Sequence, residues 1–586
     1  MKNFCHKLLF YSYLSQDNKK VEKLRPIYKY LLILIIFALG LYLFISLNWK
    51  LNTSSYGLKV FKQNLINFFS FNNQSTYLLH NSSRNLWVYS LILLWKTIEI
   101  AIVGTFLGFI LAIFTSYSTN WKFNNKIKSI FFGSIILFLR SIPELIFISS
   151  FTNMFNGYFA LLLIFFWFSW LWLHKYFVEI FNNFDEKVYW QARKEGLSKV
   201  QAFKKVIWPR INNRIYNLFL YSFESNIRWS SILGILGTAG IGILINYGTL
   251  NINNFKELAI PVLVLTIFIG FLEIFNFFIK NYLLENKSKQ LNLNKTQIYQ
   301  KMLRQKNWRK ITLRLIFIVL VIFSIVILCK INYFFLNSLL FSEQIKAFVQ
   351  PDWSVFDIKS KQIELNPLLQ LLQSFNFAFL ITLLMIISFL ILLPFYSKLI
   401  FGKWKSLICK LITVIVRTIP IVVFFYIFNS LFYSSLTLLI LTLTTHQNSA
   451  ILKQLWEKID NFQATKFFNL RLQNYSKFHI YWKYMLPEIK GDLYSLLMLY
   501  FEISFRNSIT YSVLTSQELV IGTKIIQYNS PNGNFDLNKT FAYIWIGIFG
   551  ILFINIINIF LNKKILRDMK FYLFNCFIGK KFKKSV

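Results

Sequence analysis

Residues 223–228 read FESNIR, and residues 501–506 read FEISFR, 278 positions further on. In both, a Glu and an Arg stand four apart within a long apolar run, so they share one helix face and can pair. Two more landmarks keep the register: Arg140-Ser-Ile-Pro143 recurs as Arg417-Thr-Ile-Pro420, displaced by 277, and Pro209 recurs as Pro487, displaced by 278. Identities held in step over such a distance mark an internal repeat. The chain is read as two copies of one unit, 1–280 (core 91–280) and 312–586 (core 368–562), joined by a basic linker at 281–311.

Composition says what surrounds these units. Of 586 residues, 55% are hydrophobic and only 15% charged, against ~25% charged in soluble globular chains. An ordinary soluble enzyme and a disordered chain are both excluded. A helix needs ~20 apolar residues to cross a ~30 Å hydrocarbon core. Such runs lie near 30–47, 91–117, 129–153, 157–174, 216–240 and 257–280, then near 312–335, 371–396, 408–429, 431–446, 492–512 and 541–562. The expected fold is all-α: a polytopic membrane protein of about 12 transmembrane helices. Six per unit is an even number, so the two six-helix repeats run parallel. No small-residue cleavage site follows the first run, which is read as a retained span.

The net charge of +40 then acquires a location. Segments 1–29, 280–314 and 563–586 carry seven, ten and eight Lys/Arg, all on one side of the twelve-span arrangement. The opposite loop 336–370 balances Lys346, Lys359 and Lys361 with Glu343, Asp352, Asp357 and Glu364. The positive-inside rule makes the basic side cytoplasmic. Both termini are therefore expected in the cytoplasm of a cell-membrane protein in contact with anionic lipids. Loop 49–90, with Lys50, Lys59, Lys62, Arg84 and no acid, runs against that pattern. Nucleic acid is not indicated, because the aromatic load is bulk Phe rather than scattered stacking residues.

One loop on the basic side, 175–215, is long and patterned. Residues from about Asp185 to Glu195 suit a helix, with Gly196 fitted to the left-handed position after its end. Ser198-Lys-Val-Gln201 is a capping box opening a second helix, and Pro209 is expected to stop it. In the second copy Asn474 stands for Gly196, Ser476 for Ser198, and Arg471 for Arg193. Cys5, Cys329, Cys409 and Cys576 are too scattered for a disulfide framework or zinc site. No catalytic cluster and no Gly-x-x-x-x-Gly-Lys-Ser/Thr stretch is present, so the chain is read as no enzyme, with no cofactor and no metal of its own.

The spacing from Ala192 through Gly196 to Pro209, with RSIPEL at 140–145, FESNIR at 223–228 and ILGILGTAGIG at 232–242, resembles the permease of phosphonate-type ABC importers. The likeness is close over 91–280 and weaker over 368–562. The whole resembles a form with both permease units fused in one chain. It implies a type I importer permease fold and coupling loops at 185–210 and 463–488 that engage ABC ATPase subunits, two in number, which bind the ATP. It also implies an extracytoplasmic solute-binding protein or lipoprotein, and a phosphonate, phosphate or phosphorylated solute. The loop residues it marks are Ala192, Gly196, Ser198 and Pro209, then Asn474, Ser476 and Pro487. Two departures stand out. The Glu-Ala-Ala opening is eroded to Trp190-Gln191-Ala192. In the second copy Gly234 and Gly237 become Ser512 and Thr515, and Gly240 becomes Glu518 unless an insertion restores Gly522.

Glu224 with Arg228, and Glu502 with Arg506, are expected as intramembrane ion pairs: an unpaired charge in hydrocarbon costs at least ~2.5–3.5 kcal/mol. Packing is their minimal role and gating a further one. Arg140 with Pro143, and Arg417 with Pro420, are placed at the inner interface or on the pathway. The glycine run 234–242 follows a membrane helix rather than a strand, so close packing is favoured over phosphate binding. An ion-coupled secondary transporter of twelve spans is the alternative, and it would lack the patterned loop.

Overall fold

The computed structural model describes residues 10–14, 20–24, 26–47, 49–52, 54–75, 77, 85–250, 254–284, 308–460, 462–515, 518–529 and 535–561. Most of the basic linker, the whole C-terminal tail, and Arg84 and His80 lie outside them. Among the described residues the fold is helical, with one small exception in the basic segment 1–29. There, β1 (Phe10–Leu14) and β2 (Lys20–Leu24) form an antiparallel hairpin with Phe10 opposite Leu24.

The first half runs α1 (Pro26–Ser46), α2 (Ser55–Phe68), α3 (Leu86–Ser118), α4 (Lys126–Ser141), α5 (Glu144–Met154) and α6 (Gly157–Asn182). It continues with α7 (Glu186–Lys194), α8 (Lys199–Ala202), α9 (Trp208–Ile235), α10 (Gly242–Leu250) and α11 (Ala259–Phe278). The second half runs α12 (Trp308–Lys330), α13 (Leu339–Val349), α14 (Pro367–Leu392), α15 (Lys398–Phe401), α16 (Lys403–Thr418) and α17 (Ile421–Phe428). It closes with α18 (Ser435–Asp460), α19 (Ala464–Leu472), α20 (Lys477–Ile480), α21 (Leu486–Thr510), α22 (Val520–Asn529) and α23 (Leu537–Leu561). Asparagine starts many of these helices. Asn85, Asn125, Asn156 and Asn366 each accept a backbone N–H of the following turn, satisfying donors that no intrahelical carbonyl can reach.

Helices stand at all twelve expected places, but they are not twelve straight apolar rods. Among the described residues, six runs are long and apolar enough alone: Leu86–Ser118, Gly157–Asn182, Asn254–Leu284, Ile311–Lys330, Pro367–Tyr396 and Leu537–Asn558. The expected spans 129–153 and 408–429 are bent pairs, α4 with α5 at 77° and α16 with the run Ile421–Leu431 at 85°, which bring the number to eight at most. Helices α9, α18 and α21 are less apolar for a physical reason. Each turns a stripe of Ser, Asn, Gln, Glu or Arg toward the centre of the molecule, where protein rather than lipid surrounds it.

The short helix after each bend crosses into the other half. Leu145 and Ile146 of α5 join a buried cluster built from Ala378, Phe505, Ile509, Tyr543 and Ile548. Val423 and Ile427 of α17 join the cluster of Leu93, Ile98, Leu161, Leu233 and Leu265. Each half thus completes its core with a piece of the other. Leu145→Ala is expected to cost about 2–5 kcal/mol and lower the thermal midpoint of the purified protein in detergent. Ile318→Ala, at a lipid-facing position 51% exposed, should leave that midpoint within error.

Candidate functional site

The bends set where the charges fall. Proline drives the residue before it out of the helical region, and Ile142 and Ile419 are extended, both with ψ 126°. Helices α4 and α16 therefore end with Arg140 and Arg417 in their last turns, beside the negative helix end. Pro143 and Pro420 then stand at the N-caps of α5 and α17. The arginines were expected at the inner interface or on the pathway. Arg417 is 1% exposed, at a helix end.

There they meet the repeated Glu/Arg pairs, crosswise. Glu502 takes Arg506 from its own helix at 3.0 Å, and Arg140 and Lys175 from the other half at 2.5 and 3.2 Å. Arg506 also donates to the Arg140 carbonyl. Reciprocally, Glu224 pairs with Arg228 and, at 3.4 Å, with Arg417 of the other half. Asn276 donates to the second Glu224 oxygen at 3.1 Å. Arg417 lies 3.6 Å from Glu273 of α11, which Lys453 holds at 2.5 Å. The guanidinium of Arg417 also sits over the Tyr221 ring, 5.1 Å from its centre. Each pair anticipated within a helix is thus half of a cluster that ties the two halves together.

Between the clusters lies a cavity of about 200 Å³, lined by residues of both halves, among them Arg228, Arg417, Glu144, His446 and the rings of Trp172 and Tyr500. Its polar wall repeats with the side chains exchanged. Asn226 donates to Ser169 at 2.8 Å in one half, and Ser504 donates to Gln447 at 2.9 Å in the other. A smaller cavity of about 70 Å³ adjoins Arg140, Lys175, Glu502 and Arg506. Lys175 and Lys453 were missed from sequence, although they too stand 278 apart; the repeat register would have found them. Glu273 has no counterpart, since Ile551 occupies the matching position, and its only signal is a lone acid in an apolar helix.

The loop frame is the same in both copies. Gly196 has φ +89° and Asn474 φ +66°. After each, a backbone N–H reaches back to the helix, Leu197 to Ala192 at 3.3 Å and Tyr475 to Leu470 at 3.2 Å. Arg193 and Arg471 donate to the carbonyls of Leu197 and Tyr475. Ser198 makes the full capping box with Gln201, whereas Ser476 has the single bond from His479 N–H. Pro209 and Pro487 do not stop the second helix. A π-helical turn, Phe203–Ile207 or Tyr481–Met485, precedes each, and this wider turn absorbs the missing N–H and the ring's bulk. The helix therefore continues from the loop into α9 or α21. In the glycine run, Gly522 rather than Glu518 takes the close-packing place. A Cβ on Gly242 would strike Ser230 and Gly234, and one on Gly522 would strike Ile509 and Ser512. Glu518 instead accepts from Leu436 N–H at 2.6 Å, at the start of α18.

Exchanging the partners, Glu224→Arg with Arg228→Glu, preserves the pair within α9 but sets Arg417 beside a new cation. Each uncompensated buried charge costs about 3–5 kcal/mol. The exchanged protein and each single variant are expected to lose monodisperse elution in detergent. Full recovery would show that the pair acts without Arg417.

Comparisons with known proteins place the chain in a family. The family described as "Binding-protein-dependent transport system inner membrane component" matches residues 75–287. The "ABC transport system permease protein p69" of Mycoplasma genitalium is 30% identical over 518 residues, 87% of this chain and 90% of its own length. Its namesake in Mycoplasma pneumoniae is 28% identical over 473 residues, 80% of this chain and 83% of its own. The "Phosphite transport system permease protein PtxC" of Stutzerimonas stutzeri is 28% identical over 102 residues, 17% of this chain and 37% of its own. No solved structure matches. The chain belongs to the membrane-embedded permeases of binding-protein-dependent ABC transport systems, which carry solute across a membrane with separate ATPase and solute-binding partners.

Proposed function

We propose that this permease carries an anionic solute of the phosphonate, phosphate or phosphorylated class across the cell membrane, through the cavity between its halves. One observation supports the reading above others. The two cavities and their ion-pair partners hold six cations (Arg140, Lys175, Arg228, Arg417, Lys453 and Arg506) against four carboxylates (Glu144, Glu224, Glu273 and Glu502). A buried excess of positive charge is costly unless an anion compensates it. The Nε of Arg228 and the Nε and Nη1 of Arg417 are buried with no hydrogen-bond acceptor among the described residues. Guanidinium N–H groups so arranged suit the paired oxygens of a phosphoryl or phosphonyl group. The partial relative named for phosphite transport points to the same chemistry.

The loops at 185–210 and 463–488 are proposed as the seats of two ATPase subunits, with a solute-binding lipoprotein on the opposite face. The charge asymmetry of the sequence supports both termini and both loops lying in the cytoplasm. Exposed apolar side chains recur on the two loops, Trp190 and Val200 on one, Phe468 and Phe478 on the other, as a surface meant for a protein groove would have. Gating by the crossed clusters is part of the same proposal. Separating the halves on one side breaks Arg140–Glu502 or Arg417–Glu224, while the pairs within α9 and α21 persist.

Uptake of phosphate and methylphosphonate into proteoliposomes holding the permease with its ATPase and binding protein tests the anion reading. Arg417→Gln is expected to reduce uptake at least 10-fold; undiminished uptake would refute the assignment. The loops make a second prediction. Gly196→Val forces a left-handed conformation on a β-branched residue at about 1–3 kcal/mol and should cut ATP-driven uptake about 10-fold. Gly196→Asn, which copies position 474, should retain most of it. Disrupting Gly196–Pro209, with its complete capping box, should harm uptake more than disrupting Asn474–Pro487; equal losses would refute that asymmetry.

A further inference from the structure

A third cavity of this chain faces away from the proposed pathway. It is an open groove of about 490 Å³ between the end of α3, the run from α8 into α9, and the first turns of α12. Phe109, Ile113, Phe114, Phe203, Trp208 and Phe317 form its walls. Two lysines, Lys199 and Lys204, lie at its margin, both exposed and without an ion pair among the described residues. No Asp or Glu lines it. Its outer wall is open: Phe114 is 68% exposed and Ile110 43%. The groove is therefore apolar inside, open toward the lipid side, and cationic at one end.

We propose that this groove binds one anionic phospholipid, an acyl chain lying along the aromatic wall and the phosphate meeting Lys199 and Lys204. An apolar concavity within a membrane protein is filled by hydrocarbon, and lysines at its mouth select the sign of the headgroup. Shape and charge both favour lipid over a second protein chain: the surface is concave rather than flat, and its polar margin carries one sign only. Arg314 stands one turn before Phe317 on α12 and adds a further cation to this end of the molecule. The site matters because of what it touches. Lys199, Val200 and Phe203 belong to the helix that opens at Ser198, so a bound lipid braces the loop against α3 and α12. Occupancy is a binding property, and it stands whether or not the solute is an anion.

The test is native mass spectrometry of the delipidated full-length protein with phosphatidylglycerol or phosphatidylcholine of identical chains. One tightly held phosphatidylglycerol per chain is expected, with phosphatidylcholine retained roughly 10- to 30-fold more weakly. The variant K199Q/K204Q should lose that preference while eluting normally, since both lysines are exposed. Ile113→Trp, which fills the groove, should lower retention of both lipids. Equal retention of the two lipids, or an unchanged preference in K199Q/K204Q, would overturn the site. So would photocrosslinks from position 114 to residues 285–307 or to a second copy in lipid nanodiscs, because the groove would then have a protein occupant.

Discussion

The structure depends on a constraint of solvation: an ionised side chain cannot be left alone in a membrane protein's interior. The repeated Glu/Arg motif meets it only partly within each helix. Each glutamate can take more than one cation, and the second comes from the opposite half, delivered by the arginine at a proline-bent helix end. Because both halves obey the same rule, the two debts cancel crosswise. Arg140 answers Glu502, and Arg417 answers Glu224. The apolar packing follows the same exchange, with α5 and α17 each finishing the core of the other half.

Much of this was legible in the sequence, because the repeat carries its own alignment. The helices, the left-handed turn at Gly196 and its Asn474 substitute, the Ser198 capping box and the i,i+4 pairs are local consequences of local residues. What the sequence concealed is relational. A hydropathy run does not record the direction of the chain, so 129–153 and 408–429 read as single spans although Pro143 and Pro420 turn them by 77° and 85°. Pro209 read as a helix stop because the compensating π turn leaves no sequence mark. Arg140 and Arg417 were recognised as important, but their partners lie in the other half of the chain, and no local rule names Glu273 or Asn276.

The two halves also differ in places. The hydrogen bond between Asn226 and Ser169 survives in the second half as one between Ser504 and Gln447, so the contact persists while the longer side chain changes helix. Gly522 keeps the tight crossing of Gly242 despite the shifted spacing, and Glu518 has become a cap for α18. Glu273 and Lys453 are less balanced. Lys453 matches Lys175, but it answers a carboxylate that only the first half possesses. The cavity wall is accordingly asymmetric in charge although its helices are symmetric in outline.

The unbroken passage through each π turn has a mechanical consequence. From Lys199 to Glu224 the chain is one continuous rod, about 38 Å long at about 1.5 Å per residue. Such a rod is a lever whose short arm projects from the membrane domain and whose far end bears the glutamate. A tilt of ~5° about the projecting end moves Glu224 by about 3 Å, comparable with the 3.4 Å that separates it from Arg417. A proline that ended the helix would have placed a hinge there and let the motion dissipate. By widening one turn instead of breaking it, the chain keeps one stiff helix from the loop to the cavity wall.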